Sequence, residues 1–449
     1  MELTFPSKPY KIHGGANVPH HKNTSRFPSV TMPAPKQVVI PMQQHVGAPC
    51  SPLVKKGDHV YRGQKIGDSS AFISAPVHAS VSGTVAAIDK VMLPGGQVCE
   101  AVVIDSDGLM ESSPDLTPPI VSNAAEFTAA IRESGLVGLG GAGFPAHVKL
   151  NIPPNKKIDT MIINAAECEP YVTSDHREAI ESPRAVLEGI YAVKSILNLS
   201  RVIIAVEDNK PDVIQILTEI ADNTDRDPND EVRVLPLKSK YPQGAEKVLI
   251  KSCTDREVPP GKLPADVGCL VMNITSVAFI ANYLKTGMPL VSKRVTVSGT
   301  AISSPKNVIA PIGTRISELI AFCGGYSLIP KKILMGGPMM GLAVTNEELP
   351  ILKQNNAILA FGEREAILPK PTACIRCGRC VAGCPMNLVP TMLEKFAEQK
   401  DLEGLEQYGV MVCMECGTCA FNCPAGRRLV QSIRLGKGLL KAAAAKKKG

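Results

Sequence analysis

Between residues 37 and about 107 the chain runs in short apolar stretches broken by turn residues, among them Val38-Val39-Ile40, Val54-Lys55-Lys56-Gly57-Asp58 and Val81-Ser82-Gly83-Thr84-Val85. Runs this short at this turn spacing predict a small all-β unit. A Pro-containing linker covers 117–122, and Asn123 with Glu126 three residues on predicts a capped helix through Glu133. Beyond a Gly-rich loop the pattern alternates. Apolar runs at 160–164, 202–206, 232–237 and 269–273 read as strands, and helical patterns at 183–197, 211–221 and 244–251 separate them. Alternation of this kind predicts a mostly parallel sheet covered by helices. From Lys293 to Val344 short strands return around one helix, 315–323, and from Ala373 to about Leu440 the chain reads as helical between cysteine-rich turns. The last stretch, 441–449, is a low-complexity basic tail expected to be mobile.

Composition narrows the function classes. Hydrophobic residues are 44% and charged residues 20% of the 449, which excludes disorder as a whole-chain description and leaves room for about three domains. Lys plus Arg exceed Asp plus Glu by 49 to 42, a mild excess that does not call for nucleic acid. Aromatics are 4%, with no Trp, which argues against a base-stacking platform. The start, Met1-Glu2-Leu3-Thr4-Phe5-Pro6, shows no basic region followed by an apolar core, so no signal peptide is expected. The uncharged stretch 267–284 has the minimum length of a membrane span. It carries Asn273, Thr275, Ser276 and Asn282, and reads as a buried strand feeding a helix. Of 14 cysteines, eight fall in two compact C-terminal groups, which indicates metal-bound thiolates in a reducing compartment rather than disulfides.

Those eight carry the strongest chemical signal. Cys374, Cys377, Cys380 and Cys384 precede Pro385, and Cys413, Cys416, Cys419 and Cys423 precede Pro424. Both groups read C-x2-C-x2-C-x3-C-P, the run associated with paired [4Fe–4S] clusters. Thiolates at i, i+3 and i+6 wrap three corners of one cubane, and the fourth, carried off by the helix its proline starts, serves the other cluster. The expected sets are therefore Cys374, Cys377, Cys380 and Cys423, and Cys413, Cys416, Cys419 and Cys384. Zinc prefers two separated C-x2-C pairs per tetrahedral site.

A second signal is the loop Gly138-Leu139-Gly140-Gly141-Ala142-Gly143-Phe144-Pro145. It matches G-x-G-x-x-G, yet the segment before it reads as helix rather than strand, unlike a Rossmann first turn. Bare backbone amides still allow close approach of an anion, Pro145 suits the start of a helix, and Lys149 adds a charge. A third is Asn164-Ala165-Ala166-Glu167-Cys168-Glu169-Pro170 at the carboxyl end of a strand, where ligands of open α/β sheets bind. Read alone, the loop is also compatible with tight packing and the acidic segment with a solvated turn.

Together these residues resemble the flavin-bearing NADH-oxidising subunit of respiratory complex I. With the run Ala75–Val85 resembling barrel-sandwich domains, and the cysteine groups last, the whole is closer to the C subunit of the Rnf ion-translocating ferredoxin:NAD oxidoreductases. The stretches Tyr241-Pro242-Gln243-Gly244-Ala245-Glu246-Lys247 and Arg256-Glu257-Val258-Pro259-Pro260-Gly261-Lys262-Leu263-Pro264 look like that family too. The implied fold is multidomain α/β and α+β. An extended segment (1–36) leads to a barrel-sandwich hybrid (37–108), whose hairpin tip near 68–73 lacks a carrier lysine. A mostly parallel α/β domain for FMN and NADH (120–290), a β-grasp-like domain (291–346), a helical two-cluster ferredoxin-like domain (355–440) and the tail (441–449) follow. The resemblance implies FMN on Gly138, Gly140, Gly141, Gly143, Lys149, Asn164, Glu167, Gly244, Glu246 and Asn273, with Phe144 and Glu169 on the nicotinamide side. Two departures stand out: Ala166 where complex I has Asp, and Thr275-Ser276 where it has Glu-Thr.

Hydride moves as two electrons and a cluster takes one, so a two-to-one converter must stand between NAD(H) and the thiolate sets. The implied activity is that of an NAD(H)-linked oxidoreductase component with no obligatory side-chain acid or base. Its partners are the other subunits of a membrane-embedded ion pump, with ferredoxin as an indirect electron partner, and its place is peripheral on the cytoplasmic face. Two alternatives stand beside it: a soluble flavin/iron–sulfur reductase resembling cobalamin reductase, in which the glycine loop comes near the N-terminus, and a non-catalytic electron-relay adaptor. Cys50, Cys99, Cys168, Cys253, Cys269 and Cys323 lack ligand spacing and read as small hydrophobes. His13, His20 and His21 read as surface histidines, and Met335, Met339 and Met340 as packing residues.

Overall fold

A computed structural model describes residues 6–222 and 231–446. Residues 1–5 of the N-terminal segment and 447–449 of the basic tail lie outside the described residues.

The N-terminal β unit is two facing sheets. One runs in the order Gln37–Pro41, Val98–Ser106, Gly83–Met92, His59–Val60, and the other in the order Ser51–Pro52, Lys65–Asp68, Val77–His78. Side chains alternate across each strand, so Val38, Ile40, Val60, Ile66, Val77, Val85, Val102 and Ile104 close one apolar interior. The hairpin tip that lacks a carrier lysine is pinned: His147 Nε2 lies 3.1 Å from the Phe72 carbonyl, and Ala48 N–H donates to the Ile73 carbonyl at 2.9 Å.

The central sheet is parallel throughout, in the order Glu231–Leu237, Arg201–Glu207, Thr160–Ala165, Cys269–Asn273. Its two faces are read off alternate residues. Met161, Ile163, Val202, Ile204 and Val206 pack with Pro183–Ile196 and Ile274–Thr286. Ile162, Ile203, Ala205 and Val271 meet Leu249, Ile250 and Cys253 of Glu246–Thr254 on the other side. The expected strands and helices are present, shifted by three residues or fewer at their ends. One helix, Ser174–Glu181, has no counterpart in the sequence pattern. Its buried residues are Ser174, Asp175, His176, Arg177, Glu178 and Ala179, so it has almost no apolar period to read.

The next sheet has six strands, in the order Val30–Thr31, Lys306–Pro311, Ser292–Ser298, Ala357–Phe361, Lys332–Met335, Leu342–Val344, with Ile316–Phe322 packed against it. Two of these strands come from outside 291–346, Val30–Thr31 before it and Ala357–Phe361 after it, and the latter pairs parallel with Ser292–Ser298 at the centre. The C-terminal unit packs Pro390–Gln399 and Leu402–Gln407 on Leu429–Lys446. That last helix runs through Lys441–Lys446, so the described part of the basic tail is helical. Four alanines favour helix, and a terminal lysine complements the helix dipole. Among the described residues no helix is long and apolar enough to cross a membrane.

The N-terminal segment acts as a strap. Tyr10 N–H donates to the Ser252 carbonyl at 2.8 Å, Gly15 N–H to the Gly383 carbonyl at 2.9 Å, and Ala16 pairs with Tyr241. Further on, Lys22 enters the loop after Ala165, and Val30–Thr31 joins the six-stranded sheet.

Candidate functional site

Asn164 and Asn273 are register partners on neighbouring parallel strands, at the carboxyl ends where the sheet opens. Asn164 Nδ2 donates to the Gly244 carbonyl at 2.8 Å. Asn273 caps the helix Ile274–Thr286 through Oδ1 and gives Nδ2 to Asp175 at 2.6 Å. A Cβ on Gly140 would stand 3.1 Å from Asn273 Nδ2, so the glycine loop rests directly on this edge. Gly141, at φ +115°, faces open space within 4 Å of where its Cβ would lie, and Gly140 and Gly141 are exposed at the tip. The loop is closed below by Gly138 N–H on the Phe144 carbonyl at 2.8 Å and by Gly143 against Gln354. Its tip thus presents bare backbone to open space, where a side chain at Gly141 would stand in the way of an approaching group.

Lys149 is engaged elsewhere. Its ammonium pairs with Glu246 at 2.6 Å, two expected site residues satisfying each other. The cation that reaches the loop is Lys293, which is buried and donates to the Leu139 carbonyl at 3.2 Å. Pro145 precedes a helix of only five residues, Ala146–Leu150, as its N-cap.

The two carboxylates of the acidic segment turn inward. Glu167 Oε1 accepts the Asp175 N–H at 2.7 Å and Oε2 the His176 N–H at 3.3 Å, at the start of Ser174–Glu181, where a helix attracts negative charge. Burial pushes its carboxyl up to about 7, with the Lys22 ammonium working against the rise. Lys22 itself donates to the carbonyls of Glu167 (2.7 Å), Glu169 (2.8 Å) and Val172, and burial lowers its affinity for the proton. Glu169 accepts the N–H groups of Met339 and Met340, each at 2.9 Å, and burial holds it up at about 7. Met339 and Met340, packing residues by sequence, therefore hold a carboxylate through their backbones. Cys168 lies between, its Sγ 3.4 Å from Gly244 N, and burial pushes its thiol up.

On the far side of Cys168 stands Tyr241, 2% exposed, whose hydroxyl donates to the Cys416 carbonyl at 2.7 Å. Ala16, Val18, Tyr241 and Cys416 form one small core with Cys168 and Met339 packed on it. The acidic loop and the cysteine-rich unit therefore share an interior. Cys384, Cys413, Cys416 and Cys419 border a single small cavity closed by Leu388, Val430 and Ile433. Cys380 packs with Cys419 and Cys423 in a second group, so the two sets adjoin. Cys374 and Cys377 are exposed. Among the described residues no three His, Cys, Asp or Glu side chains converge as a single ion requires. The C-x2-C-x2-C-x3-C-P spacing of these thiols suits a polynuclear cluster better than one zinc ion.

Lys22, Asp175 and Lys293 carry no site signal in the sequence, and the family-like stretch at Tyr241 gives no hint of its contact with Cys416, for one shared reason: each reaches its partners across long stretches of chain. Four family models match: the RnfC barrel sandwich hybrid domain over 10–109, the Nuo51 FMN-binding domain over 131–282, the SLBB domain over 294–343 and the 4Fe-4S dicluster domain over 366–431. The chain is 45% identical over 418 residues to the C subunit of the proton-translocating ferredoxin:NAD(+) oxidoreductase complex of Clostridium ljungdahlii, covering 92% of this chain and 90% of that one. It is 42% identical to the C subunit of the Na(+)-translocating complex of Acetobacterium woodii, covering 94% and 96%. It is 40% identical to the C subunit of the ion-translocating oxidoreductase complex of Rhodobacter capsulatus, covering 98% and 85%. Among solved structures, an air-oxidized NAD+-reducing [NiFe]-hydrogenase aligns with TM-score 0.50 at 17% identity over 69% of this chain and 63% of that chain, a likeness of fold alone.

Proposed function

This chain belongs to the family of C subunits of the ion-translocating ferredoxin:NAD(+) oxidoreductase complexes, and from that premise we propose that it is their NAD(H)-linked flavin/iron–sulfur component, which moves electrons between NAD(H), FMN and two [4Fe–4S] clusters. The observation that carries the reading is the shared interior around Tyr241, which brings the acidic loop at the sheet edge and the thiols of Cys384, Cys413, Cys416 and Cys419 into one packed region.

FMN, when bound, supplies the exchange between an electron pair and the single electrons that clusters accept. The chain's part is binding and orientation. Gly138, Gly140, Gly141 and Gly143 offer backbone to it, Asn164, Gly244 and Asn273 line the strand ends, and the Lys149–Glu246 pair stands at the rim. Glu167 acts through the helix it caps, Glu169 through the Met339–Met340 turn it holds, and Phe144 lies toward the nicotinamide. Where complex I carries Asp, Ala166 is fully buried, and a carboxylate reaches this edge from Asp175 instead. Cys374, Cys377, Cys380 and Cys423 take one cluster, and Cys384, Cys413, Cys416 and Cys419 the other.

The protein sits peripherally on the cytoplasmic face of the membrane, held by the other subunits, and exchanges electrons with ferredoxin through them. The test is absorbance of protein reconstituted without oxygen. A flavin band near one equivalent that NADH bleaches supports the reading. Iron–sulfur absorbance with no flavin uptake overturns it in favour of an electron-relay adaptor.

A further inference from the structure

A cavity of about 820 Å³ opens between the N-terminal strap and the cysteine-rich unit. Lys11, His13, Lys240 and Arg379 line it with Phe421 and Asn422, and among the described residues that line it none is acidic. The cavity borders residues beside thiols of both sets, since Gly383, which also lines it, precedes Cys384. Arg379 and Ala382 flank Cys380, and Phe421 and Asn422 lead into Cys423. Both thiols belong to the set whose other members, Cys374 and Cys377, are exposed. The two thiol sets are therefore unequal. One is enclosed against Tyr241 and the acidic loop, and the other stands at the surface beside a basic cavity. Around it Ile375, Val381 and Phe421 expose 66%, 36% and 49% of their surface. Exposed apolar side chains next to a basic cavity describe a docking face.

We propose that this cavity receives an acidic protein partner that carries single electrons, and that electrons cross there by way of the Cys374, Cys377, Cys380 and Cys423 set. The inference rests on the proposed function for the identity of the cluster and adds the surface and the charge of the partner. Cations around the cavity attract and orient carboxylates on the incoming surface, and the apolar patch excludes water between the two carriers. The charge of the face disfavours a basic partner.

The experiment titrates a fluorescently labelled acidic [4Fe–4S] ferredoxin, a stand-in for an acidic single-electron carrier among the neighbouring subunits, with the full reconstituted chain and reads anisotropy. Lys240→Glu with Arg379→Glu weakens binding about tenfold or more at low salt, and raising salt weakens wild-type binding in the same direction. Lys56→Glu with Lys90→Glu, on the exposed β unit, leaves it within about twofold. Where the double reversal fails to take up iron, Lys11→Glu on the strap serves in its place. Equal weakening by both pairs, or none from the cavity pair, overturns the proposal. Iron and sulfide analysis of the wild type separates this outcome from failure of the functional reading, because the titration reads the surface and needs no flavin.

Discussion

The Tyr241 hydroxyl and the Cys416 carbonyl are 2.7 Å apart, a hydrogen bond between the flavin-side unit and the backbone of a cluster thiol. Burial pushes the phenol's proton affinity well up, so the group stays a donor. Tyr241→Phe keeps the ring and removes the donor. The expected cost is about 1 kcal/mol of stability. The lost donor sits on the peptide of a cluster ligand and not on its sulfur, so the midpoint of the enclosed cluster falls only slightly. A redox titration followed by EPR checks this, and an unchanged midpoint in a stable variant would show that the bond is structural alone.

Glu169 gives the fold a pH signature. Its carboxyl titrates at about 7 in the folded chain against 4.5 when free, chiefly through burial. Between those values the folded state keeps a proton that the unfolded state has released, so this group's stabilisation is complete below the lower value and lost as pH rises toward the upper one. Glu169→Gln keeps one acceptor oxygen for the Met339–Met340 turn and does not ionise. Thermal unfolding at about pH 5 and about pH 8 should therefore show the variant gaining on wild type at the higher pH, by on the order of 2 kcal/mol.

Cys384 follows Cys380 by four positions, yet it borders the cavity of Cys413, Cys416 and Cys419. Cys384→Ala should disturb that cluster and spare the one on Cys374, Cys377 and Cys380. Loss of only the latter's EPR signal would reverse the assignment.

Gly141 combines a φ of +115° with empty space above it. Gly141→Ala strains the loop by about 1 kcal/mol and places a methyl group at its open tip. Flavin content should drop severalfold while iron content holds, both read from one absorbance spectrum after reconstitution.

How much of the fold is legible in the sequence depends on where each element's partners lie. The strands Thr160–Ala165 and Cys269–Asn273 announce themselves through their own apolar runs, and the cysteine sets through spacing alone. Ser174–Glu181 does not, because its buried face is charged and is satisfied by Glu167, Asp212 and Arg294 from elsewhere. The inward turn of Glu167 and Glu169 is equally hidden. By sequence both are ligand groups at an open edge, whereas their partners are backbone amides of a helix start and of a turn some 170 residues away. The helix of the tail is hidden for a different reason: low complexity masks an Ala-rich composition that continues a helix.

The strap has a consequence for biosynthesis. A Cβ on Gly14 would collide with the Gly383 carbonyl at 2.7 Å, so the chain's earliest residues lie directly on some of its latest. Contacts that distant in sequence form only after a large loop closes. The strap therefore docks only once the cysteine-rich unit exists to receive it, and its closure over the enclosed thiols is a late step of folding.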